Sequence, residues 1–382
     1  MSEPESAGLN APAVENIKTA LDAWIGAGRI AGAVVMVERH GVLGMFEALG
    51  QQDPARGIAM RKDSIFRIYS MTKPIVSVAL MQFAEQGKVL LRDPVAKYLP
   101  EFAKTKVGLR GKTPKRAMTV QDLLRHTAGL TYEFLEPSAV RRRYTAAKLY
   151  SRQRSNAEQV AVLASLPLAH EPGSVWDYSR ATDVLGRLVE VLADAPLGDR
   201  LKSAIFDPLG MIDTGFAVPA DQHHRLAEPL AVPPEGVALV PVFDPRLPLP
   251  AQNGGGGLMS TAADYARFVR MLVGGGQLDG VRLLGRKTVE FMTADHLGPI
   301  PRANDLLPPG HGFGLGFAVK TALGEHTEPG SIGSYGWSGA AGTAFFVDPA
   351  EDMFAIILTQ APGLLDDVRE LFRQSVYAAI DR

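Results

Sequence analysis

The sequence predicts a two-lobed protein, α/β plus all-α, in which an antiparallel sheet flanked by helices carries an inserted helical domain. Three observations carry this reading. Helical patterns stand at both ends of the chain, near Ala13 to Ala27 and near Asp366 to Ile380. Strand patterns crowd behind the first helix and ahead of the last one. Between Leu91 and Pro250 the pattern is short helices separated by Pro/Gly turns, with few strand signals. Residues 1–90 and 251–382 are therefore expected to form a discontinuous α/β domain. Residues 91–250 are expected to form a mostly helical domain.

The elements follow in order. Ala31 to Gly50 alternates strongly enough for a hairpin that turns near His40-Gly41. Ser70-Met71-Thr72-Lys73 then opens an apolar stretch from Pro74 to Gln86, which reads as a buried helix stopped at Gly87. A helical pattern from Ala181 to Ala193 follows a Pro-Gly turn at Pro172-Gly173. The segment Pro229 to Pro250, with Pro233, Pro234, Pro241, Pro245 and Pro248, reads as a long loop at the lobe boundary, placed to wall a cleft. Thr261 caps a helix to Val273, and a shorter helix lies near Gly285 to Thr293. Strands are expected near Gly312 to Thr321, Thr343 to Asp348 and Met353 to Thr359, the last two as a buried hairpin.

Composition narrows the function. With 382 residues, 46% of them hydrophobic, the chain has ample material for a core. A formal net charge of −1 gives no reason to expect nucleic acid or an anionic membrane as partner. Absent cysteines rule out disulfides, thiol catalysis and thiolate metal sites. No run approaches the length of a membrane span, and the acidic start Met1-Ser-Glu-Pro-Glu-Ser has no basic or apolar leader region, so the expected location is cytoplasmic. No metal or other cofactor is expected, since no His-x-x-x-His or carboxylate cluster stands out. The basic clusters Arg110 to Arg116 and Arg141-Arg142-Arg143 read as solvated faces.

The chemistry lies in three segments. On a helix, positions i and i+3 share a face, which sets the Ser70 hydroxyl beside the Lys73 amine. A serine hydroxyl needs an adjacent base to become a nucleophile, and a lysine in a dry site can be that base. Ser-x-x-Lys alone arises by chance in many chains, so it needs support. Glu171-Pro-Gly-Ser-Val-Trp-Asp-Tyr178-Ser179-Arg180 supplies a phenol just ahead of a helix, where the dipole favours its anion. Gly336-Trp337-Ser338-Gly339-Ala340-Ala341-Gly342 leads into the buried hairpin, with small residues that allow close backbone approach.

Together these segments resemble the serine β-lactamase and penicillin-binding protein superfamily, closest to the family VIII carboxylesterases and class C β-lactamases. Asp122-Leu-Leu-Arg-His126-Thr-Ala-Gly-Leu130, Pro208-Leu-Gly-Met-Ile-Asp-Thr214 and Gly254-Gly-Gly-Gly-Leu-Met-Ser-Thr-Ala-Ala-Asp264 are similar to further segments of that family, so the likeness spans nearly the whole chain. It implies a β-lactamase/transpeptidase-like fold, with the active site between the α/β and helical domains. It also implies a Ser70 acyl-enzyme served by Lys73 and Tyr178, an oxyanion hole from the backbone N–H groups of Ser70 and Ala340, and substrate contacts at Trp337, Ser338 and Gly339.

Two departures bear on substrate. Where β-lactamases and peptidases begin the third motif with lysine, or occasionally histidine, this chain has Trp337, an apolar wall with one N–H donor. A neutral small-molecule ester suits that wall, and an anionic β-lactam loses its anchor. Where the β-lactamase pattern ends in Asn, this chain has Arg180, read as a helix-surface residue pointing away, the other reading being a partner for an acidic substrate group. His126 reads as a helix-end residue bonding nearby backbone. The expected function is a serine carboxylesterase on short-chain acyl esters, with weak β-lactam hydrolysis at most. Alternatives are an acyltransferase, a D-amino-acid amidase or peptidase, or a non-catalytic acyl-binding protein. A Ser-His-Asp hydrolase would need a G-x-S-x-G elbow, which Gly336-Trp-Ser-Gly does not complete.

Overall fold

A computed structural model describes residues 3–237 and 242–381. Met1, Ser2 and Pro241, which enter the reading above, lie outside the described residues. Helix α1 is Ala11–Gly26, capped by the Asn10 side chain, which accepts from the Ala13 N–H at 3.0 Å. Strands β1 (Gly32–Arg39) and β2 (Val42–Asp53) form the expected hairpin. His40 and Gly41 both have positive φ, 53° and 70°, as a two-residue turn matched to strand twist requires. The short β3 (Ile58–Ala59) and β4 (Phe66–Arg67) precede α2 (Thr72–Glu85). Then come only helices up to residue 250 among the described residues: α3 (Val120–Leu124), α4 (Ala139–Ala146), α5 (Asn156–Ala164), α6 (Ala181–Ala193), α7 (Leu197–Leu201) and α8 (Asp207–Leu209), besides short 3-10 turns and one π turn. Strand β5 (Met259–Ser260), helix α9 (Ala262–Val273), the β6–β7 pair (Gln277–Leu278, Val281–Arg282) and α10 (Arg286–Met292) follow. The chain closes with β8 (His311–Phe313), β9 (Ala318–Lys320), β10 (Tyr335–Gly339), β11 (Thr343–Asp348), β12 (Met353–Thr359) and α11 (Leu365–Ala378).

Eight strands make one antiparallel sheet in the order β3-β2-β1-β12-β11-β10-β9-β8. Each central strand splits its side chains between two cores. Ala33, Val35, Val37, Phe346, Ala355 and Ile357 pack with α1 and α11, whereas Val34, Met36, Phe345, Val347, Phe354 and Ile356 pack with α2, α9 and the helical block. Burial on both faces explains why β11 and β12 read as unbroken apolar runs despite antiparallel pairing. Each of the Val, Ile, Met and Phe side chains among them stabilises the fold by about 1.5–3 kcal/mol on leaving water. Every residue of α2 from Thr72 to Phe83 is buried, so this helix stands inside the protein with one end at the cleft. No helix among the described residues is long and apolar enough to cross a membrane.

Several details depart from expectation. The pattern over Gly312 to Thr321 is two short strands, because Gly314 and Gly316 turn the chain between them. The basic clusters are not uniformly solvated. Arg116 makes a bidentate pair with the fully buried Asp122, at 2.6 and 2.9 Å, and Arg141 grips the buried Asp177 at 3.1 and 3.2 Å. Arg142 and Arg143 do face solvent. The described part of the Pro229 to Pro250 loop contributes no side chain to the cleft; its Phe243 packs edge-on against Tyr69, with ring centroids 5.5 Å apart.

Candidate active site

Ser70 sits in a 3-10 turn, Tyr69–Met71, that runs directly into α2. Tyr69 ahead of it is left-handed, φ 43°, a conformation costly for a bulky residue and one that turns the chain sharply at the serine. The i, i+3 relation survives the change of helix type: Lys73 Nζ lies 3.1 Å from Ser70 Oγ. On the other side, Tyr178 Oη donates to the same Oγ at 2.6 Å. The Ser70 oxygen is therefore clamped between an amine and a phenol.

Lys73 is 1% exposed and makes no ion pair with any described residue. Besides Ser70, it donates to Tyr132 Oη at 3.2 Å and to the Gly255 carbonyl at 2.6 Å. It also lies 4.6 Å from the centre of the Tyr178 ring. An ammonium buried with only neutral acceptors is poorly compensated. Tyr132 was not singled out from sequence; its signal was its place two residues beyond Leu130 at the end of the Asp122 segment. Burial, then the charge of Asp183, pushes the Tyr132 phenol well above its ordinary range, so it serves Lys73 as a neutral hydroxyl.

Tyr178 is held from behind. Asp177 before it accepts from Arg141, His170 and Asn304 at 3.1, 3.2 and 2.9 Å. His126 packs against its ring at 5.0 Å between centroids. The His126 imidazole does not bond nearby backbone as expected. It reaches across to Ser179 Oγ at 3.1 Å, because φ 56° turns it inward from the end of α3. Burial, reinforced by Lys73, holds this imidazole neutral, well below its ordinary range. Trp337 Nε1 donates to Tyr178 Oη at 3.4 Å, and the indole stands edge-on to Phe313 at 5.2 Å. The one donor of the indole is thus directed at the phenol.

Trp337, Ser338, Ala340 and Ser70 line one cleft of about 420 Å³. Gly339, expected beside them, does not reach it. A Cβ there would stand 2.3 Å from both the Ile68 carbonyl and Thr343 Oγ1, so glycine is required by the chain's own packing. That close approach brings the β10–β11 turn against the segment leading to Ser70.

Arg180 corrects the surface reading. It is 7% exposed, donates to Glu133 and Asp183 at 3.2 Å each, and lies over the Tyr132 ring at 5.1 Å. Asp183 in turn accepts from the Gly255 N–H at 2.9 Å, which orients the carbonyl that Lys73 uses. Helix α6 presents Arg180 and Asp183 one turn apart at its start, facing the cleft. Glu133, Asp183, Arg152 and Asn253 also line it, and no local motif flagged them. Among the described residues no three His, Asp or Glu side chains are grouped to hold a metal ion.

Comparison with known proteins places the whole chain in a family. The beta-lactamase family model matches residues 14–379. Protein Rv1367c of Mycobacterium tuberculosis is 38% identical, covering 87% of this chain and 86% of its own. Esterase EstB of Burkholderia gladioli is 32% identical, covering 92% of this chain and 91% of its own. Among solved structures, EstCE1, described as a hydrolase with promiscuous acyltransferase activity, superposes with a TM-score of 0.81 at 27% identity, over 96% of this chain and 98% of its own. The chain belongs to the beta-lactamase family and is a serine hydrolase of that fold.

Proposed function

We propose that this serine hydrolase is a carboxylesterase that cleaves small, short-chain acyl esters through a Ser70 acyl-enzyme. One observation carries the proposal: Ser70 Oγ has an amine at 3.1 Å and a phenol at 2.6 Å, at the wall of a cleft of about 420 Å³. As Ser70 Oγ attacks the ester carbonyl, its proton passes to the Lys73/Tyr178 pair. Tyr178 then returns a proton to the leaving alkoxide, and water repeats the sequence on the acyl-enzyme. The Ser70 and Ala340 N–H groups are assigned to the developing oxyanion, because both residues line the cleft beside the reacting oxygen. Trp337, Ser338 and the adjoining turn take the substrate. Short chains are favoured by the bulk of Trp337, and a neutral indole where a cation would sit leaves β-lactams as weak substrates.

The test is turnover of p-nitrophenyl esters from acetate to decanoate, beside a chromogenic cephalosporin, with wild type and Ser70→Ala. Ester turnover that peaks at short chains and vanishes in Ser70→Ala is expected, with little cephalosporin hydrolysis. Strong cephalosporin turnover would overturn the role given to Trp337. Acyl transfer is the second reading, favoured by the likeness to EstCE1. Ester product formed in the presence of competing alcohols separates it from hydrolysis.

A further inference from the structure

Among the described residues, the cations lining the cleft are Arg180, Arg369 and Arg152. Arg180 is taken by Glu133 and Asp183. Arg369 is taken by Glu328 at 2.7 Å and Asp366 at 3.3 Å. Among the described residues Arg152 pairs with no carboxylate and makes no side-chain hydrogen bond; its guanidinium carbon lies over the Phe243 ring, 3.4 Å from the centroid.

That position is built. Phe243 stands edge-on to Tyr69, the residue before the nucleophile, and its carbonyl accepts from Arg67 Nε at 2.6 Å. The Arg152 carbonyl accepts from the Ala251 N–H at 3.3 Å, which ties this segment to the wall that also carries Asn253 and Gly255. Stacking holds a guanidinium by its face and leaves its N–H edge free for a planar, bidentate acceptor. Arg152 itself lines the cleft, together with Tyr69, Ser70 and Asn253. Burial draws the group down to about 10, which still leaves it cationic at neutral pH.

We infer that the cleft takes esters bearing a carboxylate away from the reacting carbonyl, and that Arg152 is the residue that binds it. The chemical step rests on the esterase reading above, whereas the binding rests on Arg152 alone. Trp337 carries no charge and Arg180 is committed to its carboxylates, which leaves Arg152 as the cleft cation without a described carboxylate partner.

Two matched ester pairs test this: p-nitrophenyl hemiglutarate against p-nitrophenyl valerate, and 4-acetoxybenzoate against phenyl acetate. Wild type is expected to favour the anionic member of one pair by about tenfold to a hundredfold, expressed in KM. A preference in the first pair puts the carboxylate on the acyl side, and in the second on the alcohol side. Arg152→Met is expected to bring the ratio close to one, and Arg152→Lys to keep part of it, with thermal melts showing both variants folded. A ratio near one in wild type for both pairs, or a full ratio surviving in Arg152→Met, would overturn the inference. Calorimetric titration with glutarate and with benzoate gives a readout independent of turnover. If no ester is cleaved but either anion binds wild type and not Arg152→Met, the esterase reading fails and the anion site stands. If neither anion binds, the anion site fails.

Discussion

Two buried ionic centres of this molecule are built on opposite plans. Asp122 is completely buried, and its oxygens accept from Arg116, Arg125, Thr119 and Thr127, each at 3.3 Å or less. Lys73 is as deeply buried, yet its hydrogen-bond partners among the described residues are a hydroxyl, a phenol and a carbonyl, with the Tyr178 ring at 4.6 Å. The first centre is a saturated charge cluster that fixes the loop leading to His126 and Tyr132. The second is a charge met only by neutral acceptors, beside the proposed nucleophile Ser70. A protein that compensates one buried charge so fully and leaves another uncompensated is separating its scaffold from its chemistry.

The sharpest way to break this comparison is Lys73→Met. Turnover of a p-nitrophenyl ester is expected to fall by at least about 10³-fold, while stability stays level or rises, because an unpaired buried ammonium is replaced by an apolar isostere. A large drop in melting temperature would show that Lys73 is structural after all. Asp122→Ala should behave in reverse. It strands Arg125 and the Thr127 hydroxyl and opens the capping box at Thr119, for about 3–5 kcal/mol of stability in denaturant titration. The folded fraction should keep most of its kcat.

Smaller effects sharpen the picture around Lys73. Tyr132→Phe removes one of its acceptors and is expected to lower kcat about tenfold with little change in KM. Trp337→Phe removes the N–H aimed at Tyr178 and keeps an aromatic wall. A severalfold fall in kcat is expected, and a KM effect alone would mean that the indole acts only as a surface.

The smallest effect is on acid stability. His126 and His311 are both held neutral by burial, His311 down to about 4, whereas an unfolded imidazole titrates near ~6.5. The unfolded state therefore binds more protons below that pH, so stability is present above about 6.5 and is lost as pH falls towards 4. His126→Asn or His311→Asn should each flatten that slope in melts recorded from pH 7.5 to 4.5. An unchanged slope would place the acid sensitivity elsewhere.

How far the sequence could be read depended on the range of the interaction. The α1, α6 and α9 patterns and the His40-Gly41 turn were legible because caps, glycine stops and apolar periods act within a few residues. The Ser70–Lys73 pair was legible for the same reason, and Tyr178 stood out through its own motif. Arg180 was misread because a cation ahead of a helix looks solvated until its carboxylate partners are known. One of those, Glu133, lies 47 residues away along the chain.

The sequence by itself determined most of the elements, the pairing of the Ser70 hydroxyl with the Lys73 amine, and the neutral side chain at Trp337. Only the tertiary structure decided what surrounds them. Lys73 finds its other acceptors 59 and 182 residues away, and Gly339 is needed to fit the Ile68 carbonyl rather than a ligand. Arg152 becomes a feature of the cleft only because Phe243 folds beneath it. Spacing and periodicity encode local geometry, whereas the compensation of a buried charge depends on which distant groups the fold brings within hydrogen-bonding reach.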